Sequence, residues 1–312
     1  MIRRAALLLG AALLLLLSGC AVQTAALRRV PPPDISPRVE LAATPFFPQT
    51  EYQCGPAALA TALGAAGLSA DPVLLGEQVF LPARTGTLQI EMIAGARRQG
   101  AVATRLPTTL EALLRELQAG HPMIVLLNLG LSWYPLWHYA VVIGYDLGSG
   151  DMLLRSGTTE RAVFPMSTFE HTWSRAGSWA FVALPPGQWP ATAEESAAVD
   201  AAVGFERAAP PAQAVLAYRS ALQHWPGNLS LQIGLGNTLY ASGDKAAAAQ
   251  AFEAATRDHP DNAPAWLNLA STRAELGQRG AALQSAQRAV EVAGADWAER
   301  ARALLQELQR TP

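Results

Sequence analysis

This chain of 312 residues has almost no cysteine, only Cys20 and Cys54. It is also poor in charge: Asp, Glu, Lys and Arg make up 15%, and they nearly cancel to a formal net charge of −2. No basic run gives an electrostatic footprint for nucleic acid or for anionic lipid recognition. None of the five histidines forms a pair at metal-ligand spacing, and no glycine-rich phosphate loop occurs. These absences predict no cofactor, no metal and no nucleic-acid partner. The apolar run from Ala5 to Leu17 is shorter than a membrane span usually needs.

What is present begins with export. Arg3 and Arg4 precede that apolar run, which ends in Leu17-Ser18-Gly19-Cys20, and the arrangement resembles the signal and lipobox of bacterial lipoproteins. The resemblance implies a signal peptide over 1–19 and lipid on Cys20. Because Ala21 follows rather than Asp, it also implies an outer-membrane lipoprotein facing the periplasm, or a cell-membrane anchor in an organism with a single membrane. With Cys20 consumed, Cys54 has no partner within the chain, so structural disulfides are excluded and stability rests on packing. Residues 20–41 read as a lipidated tether, Pro-rich and extended from Arg28 to Pro37.

Beyond the anchor the length predicts two domains. The segment Leu184-Pro185-Pro186-Gly187-Gln188-Trp189-Pro190 breaks any strand or helix, which divides the chain into 42–186 and 195–312. The second part repeats with a period of 34: Pro226 and Pro260, Ala214, Ala248 and Ala282, Ala221, Ala255 and Ala289, Tyr218 and Phe252. It resembles the tetratricopeptide repeat, with units at about 195–228, 229–262 and 263–296 and a capping helix to about Gln309. Small residues let paired helices approach, the aromatic fills the gap and proline ends the second helix. Ala201, Ala202 and Phe205 make the first unit the most divergent. Such an array implies a protein or peptide partner, with Asn237 and Asn268 expected to face its groove.

The first part carries the chemistry. A polar loop from Pro48 to Gln53 turns into an apolar helix predicted over Cys54–Ala66. This places Cys54 at a helix N-terminus, where unpaired N–H groups and the helix dipole favour thiolate; Pro56 is tolerated in that first turn. His138 opens a β-branched run through Tyr145 and Asp146 that reads as a strand. Further helices are expected at Leu88–Arg98 and Thr109–Gln118, the latter capped by Thr108 with Glu111, and strands at about 123–129, 139–145, 151–155 and 179–184. His121 reads as part of a Gly-His-Pro turn. Trp133, Tyr134, Trp137 and Trp173 are placed at the cleft or in the core.

Gln49-x4-Cys54-Gly55-Pro56, followed by His138-x-x-Val141-Val142-x-Gly144-Tyr145-Asp146, resembles the papain-like cysteine peptidases related to the double-glycine leader peptidases of bacteriocin export. The resemblance covers about residues 42–184 and implies an α+β papain-like domain, followed here by the all-α tetratricopeptide-repeat domain. It implies Cys54 as nucleophile, His138 as general base and then acid, and Gln49 as oxyanion donor, with Gln53 as competitor for that last role. One departure stands out: where the family has Asp-Pro to orient the histidine, this chain has Ser156-Gly157. Ser156 is the expected orienter, with Asp146 and Asp151 as alternatives. The implied activity is peptide-bond hydrolysis. A degenerate, peptide-binding scaffold and a thiol acyltransferase using the same residues are the alternatives.

Overall fold

A computed structural model describes residues 21–49 and 53–310. Cys20 and the segment before it lie outside the described residues. No described helix is long and apolar enough to cross a membrane.

The first domain is α+β. Its sheet runs in the order β2 (Val102–Arg105), β7 (Ala180–Leu184), β3 (Met123–Asn128), β4 (Trp137–Asp146), β5 (Asp151–Ser156), β6 (Thr159–Pro165), and β1 (Arg38–Glu40) pairs with the far end of β4. Every pairing is antiparallel. Alternate side chains therefore fill two cores. On one face Val125, Leu127, Ala140, Val142 and Leu154 meet helices α1 (Val22–Arg29), α5 (Leu110–Gln118) and α6 (Met166–Ser174). On the other, Ile124, Tyr139, Val141 and Phe181 meet α2 (Cys54–Ala65), α3 (Pro72–Val79) and α4 (Gln89–Arg98). At Gly144 a Cβ would come within 2.4 Å of the Val39 carbonyl. Only glycine lets β1 cross so closely there.

Several expectations change. The N-cap of α5 is Thr109, whose hydroxyl accepts from the Ala112 N–H, one residue beyond the expected Thr108. Trp173 is fully buried, its indole N–H donating to the Trp179 carbonyl at 3.0 Å, so it belongs to the core and not to the cleft. The largest correction concerns residues 21–41, which form a docked strap and not an extended tether. Glu170, buried in α6, accepts from the Gln23 and Thr24 N–H groups at 3.0 and 2.8 Å and so satisfies the open N-terminus of α1. Leu27 and Ile35 enter the core, Asp34 pairs with Arg115, and Tyr145 donates to the Ser36 carbonyl at 2.9 Å. Proline content fixed the backbone as non-helical over 31–33, but the buried side chains on either side decide that the segment packs.

The second domain stacks the helix pairs α7 (Glu195–Glu206) and α8 (Pro211–His224), α9 (Leu229–Ala241) and α10 (Lys245–Asp258), and α11 (Ala263–Glu275) and α12 (Arg279–Val292), closed by α13 (Ala295–Arg310). Asn228 and Asn262, one period apart, cap α9 and α11 through the Leu231 and Ala265 N–H groups. A Cβ on Gly234 would lie 2.4 Å from the Tyr218 ring, and one on Gly236 2.3 Å from the Phe252 ring. The two glycines are what allow these aromatics to approach α9 so closely. Asn237 and Asn268 meet side chain to side chain at 3.4 Å on the exposed surface of successive units.

The domains share a packed junction. Helix α7 lies against β2, with Val102 inside the helical core cluster. Arg97 donates to the Asp200 carbonyl at 3.1 Å. In the connecting segment Trp189 is buried and donates to Ser220 at 2.9 Å. Glu116, fully buried in α5, accepts from the Ala191 N–H, from both donors of Thr192 and from the His121 ring. His121 therefore does more than shape its turn. It fills one side of the carboxylate that holds the connector.

Candidate active site

Cys54 is the first residue of α2, and the rest of that first turn is buried. The sequence folds this way because Gly55 leaves space: a Cβ there would lie 2.6 Å from the Thr87 hydroxyl. Thr87 in turn accepts on its carbonyl from the Tyr139 hydroxyl at 3.2 Å. Helix α2 is thereby pressed against β4, and the Cys54 thiol reaches the backbone of Tyr139, the residue after His138.

The electrostatics differ from the expectation. Burial pushes the Cys54 thiol above its ordinary value, outweighing the backbone of Tyr139, Gly55 and Cys54 itself, which favours thiolate. Burial also holds His138 below the usual histidine range. The helix terminus is present, but desolvation outweighs it, and the resting pair is neutral thiol and neutral imidazole. Tyr139 is raised too, first by burial and then by the neighbouring Cys54 charge.

His138 Nε2 and Ser156 Oγ are 2.9 Å apart. Asp146 is eight residues along β4, about 26 Å away at 3.3 Å per residue. It accepts from Gly148 and Ser149 in the β4–β5 turn and pairs across from Asp151, so neither aspartate reaches the imidazole. Gln49, half-buried, donates from its backbone to the Gly157 carbonyl at 3.1 Å, which sets Gln49 next to the turn that follows Ser156. Gln53 immediately precedes α2 and is exposed.

Arg155 escaped the sequence reading. Its buried guanidinium donates to the carbonyls of Thr44, Ala42 and Glu160 at 2.6–3.2 Å. It ties the segment leading to Gln49 onto the strand that carries Ser156. Only its position beside Ser156 hinted at this role. Trp133, Tyr134 and Trp137 are exposed on the β3–β4 hairpin and do not roof the site from within the core. An open cleft of about 510 Å³ along β2 and α7, lined by Arg97, Arg105, Trp179 and Asp200, includes neither Cys54 nor His138. Among the described residues no group of three His, Cys, Asp or Glu could hold a metal ion.

Residues 41–181 match the family model of the Peptidase_C39 like family, and residues 199–262 and 233–299 match the tetratricopeptide repeat. The chain joins a C39-peptidase-like domain to tetratricopeptide repeats. Among solved structures, a protein described as a C39-like peptidase from Bacillus anthracis is 18% identical, with a TM-score of 0.41, over 48% of this chain and 98% of that one. The peptidase domain of Streptococcus ComA, a bifunctional transporter of a quorum-sensing pathway, is 21% identical, with a TM-score of 0.39, over 46% and 98%. The Yersinia enterocolitica chaperone SycD, in complex with a peptide of the translocator YopD, is 14% identical, with a TM-score of 0.34, over 36% and 89%. No curated protein matches.

Proposed function

We propose that this protein is a lipid-anchored cysteine peptidase of the cell envelope, attached through Cys20 and facing the periplasm, whose repeat array holds a peptide or protein. The observation that carries the reading is the packing of the Cys54 thiol on the backbone next to His138, with the Ser156 hydroxyl 2.9 Å from His138 Nε2. Ser156 accepting from Nε2–H leaves Nδ1 as the basic nitrogen. From a neutral resting pair the reaction is general-base catalysis: the Cys54 proton passes to His138 as sulfur attacks the peptide carbonyl. The Cys54 N–H and the Gln49 amide hold the oxyanion. His138 then protonates the leaving amine, and water releases the thioester-bound acyl group. Without a carboxylate behind it the imidazolium is less stabilised than in a Cys-His-Asp site, and turnover is slow.

The test uses the whole protein with a peptidyl vinyl sulfone, read by intact mass. Wild type labels at Cys54 and His138→Ala labels at least about 100-fold more slowly, as expected when a general base is removed. Iodoacetamide, which needs no bound-state geometry, reacts with both proteins at similar rates, still rising above about pH 8.5 because the thiol is shifted upward. Equal vinyl sulfone rates in wild type and His138→Ala would sink the peptidase reading. They would leave a peptide-binding scaffold.

A further inference from the structure

The hairpin between β3 and β4 presents an apolar tip that the proposed chemistry does not use. From Leu129 to Trp137 it carries no charged residue, and Leu131, Trp133, Tyr134, Leu136 and Trp137 are between 52% and 82% exposed. The tip is also rigid. The Asn128 side chain accepts from the Gly130 and Leu136 N–H groups, both at 3.0 Å. The Leu131 and Tyr134 backbones bond to each other, and a Cβ on Gly130 would meet the Tyr134 carbonyl at 2.4 Å. The structure therefore holds a fixed display of Trp, Tyr and Leu in water, and that mixture of amphipathic rings and aliphatic chains suits the water–lipid boundary.

The chain's own geometry says what covers it. Helix α5 runs antiparallel to β3, so Leu110 at its start is level with the hairpin end of the sheet. Gln23 accepts from the Leu110 N–H at 2.7 Å, which places the start of α1 at that same end. Arg175, just past α6, donates to the Asn128 carbonyl there. Helix α1, eight residues and about 12 Å long, then points away from the hairpin, so that the Arg28 side chain lies against Gly150 in the turn at the opposite end. Residue 21 therefore leaves the domain from the end of α1 that points toward the hairpin, one residue after the cysteine read as lipidated.

We propose that residues 129–137 are a membrane-contact element, lying at the headgroup level of the bilayer that carries the anchor. Attachment through a docked α1 gives the domain little slack, so anchor and aromatic tip touch one surface together. His138 follows Trp137 directly, and the Cys54 site is thereby held at the lipid surface, within reach of polypeptide that emerges from it. The last step rests on the peptidase reading; the membrane contact does not.

The experiment reconstitutes the full chain into phosphatidylcholine vesicles with and without brominated acyl chains and reads tryptophan fluorescence, for wild type and Trp133→Phe/Trp137→Phe. Brominated lipid quenches the wild type, and the double variant loses about half or more of that quenching while keeping its melting temperature and its flotation with vesicles. Because the tip is uncharged, raising salt from about 0.1 to 1 M leaves the quenching unchanged. Vesicle-bound wild type that brominated lipid does not quench, or that is quenched as much as the double variant, overturns the proposal. So does Trp133 fluorescence that aqueous iodide quenches equally on and off vesicles, a result that returns the tip to solvent or to a protein partner. The anchor is read separately, from intact mass and from Cys20→Ser. A lipidated protein that floats without quenching loses the hairpin contact and keeps the anchor. An unlipidated chain that is still quenched through Trp133 and Trp137 keeps the contact and loses the anchor.

Discussion

The two domains are held together by different kinds of force. In the C39-like domain the decisive contacts are directional: Glu170 on α1, Glu116 on the connector and Arg155 on three carbonyls, each a buried polar side chain with at least one partner far away in the chain. In the repeats the decisive contacts are matters of size, with Gly234 beneath Tyr218, Gly236 beneath Phe252, and alanines at the remaining close approaches. Directional contacts can place a loop such as the one bearing Gln49 at a chosen spot. Size matching stacks copies but positions no single side chain. The domain whose candidate site draws on separated residues uses the first kind.

Arg155→Met would break the comparison most severely. It keeps much of the volume but strips both donors from the buried carbonyl of Thr44, at about 1–3 kcal/mol for the orphaned group, and releases the exposed Ala42. The denaturant midpoint of the first domain falls accordingly, and vinyl sulfone labelling of Cys54 is lost as the Gln49 segment detaches. A variant that unfolds normally and still labels would show that packing alone sets that loop.

Gly236→Ala probes the other side. The added methyl gains roughly 1 kcal/mol of helix propensity but lands on the Phe252 ring, an overpacking cost of about 1–3 kcal/mol. The net change is a loss of about 1 kcal/mol, confined to the repeat transition in a thermal melt, and Phe252→Leu in the same chain restores part of it. Restoration by a smaller side chain is what a size rule predicts and a directional contact does not.

Ser156→Asp sharpens the comparison with the smallest change. A carboxylate at that hydroxyl opposes the burial that depresses His138, raising its pKa by about 1 unit or more, equivalent to ~1.4 kcal/mol. The sign follows: the imidazolium then survives to higher pH, and labelling near pH 6 accelerates over wild type. An NMR titration of the His138 ring that does not move upward would disconnect Ser156 from the imidazole.

Elements with strong periodicity were legible in the sequence: α2, the strands from β3 to β5, β7 and the repeats. Those that rest on distant partners were not. Strand β6 is mostly exposed and α1 is a short segment followed by prolines. Nothing local announces that Glu170, 146 residues beyond Thr24, will hold it. At the site, Cys54, His138 and Ser156 were singled out by the family resemblance, but the balance between helix terminus and burial was not legible in it. That balance depends on Thr87, Tyr139 and β4 closing over the thiol.

Helix α7 touches residues of both faces of β2, Val102 on one and Ala103 and Arg105 on the other, and β2 has a strand on one flank only. It therefore runs along the open edge of the sheet, where bare N–H and C=O groups would otherwise invite another chain. At the opposite edge β6 is guarded by its own Glu160, Arg161 and Pro165. The repeat domain thus doubles as a cover for its neighbour: a chain without it would bare the backbone groups of β2 to any passing strand.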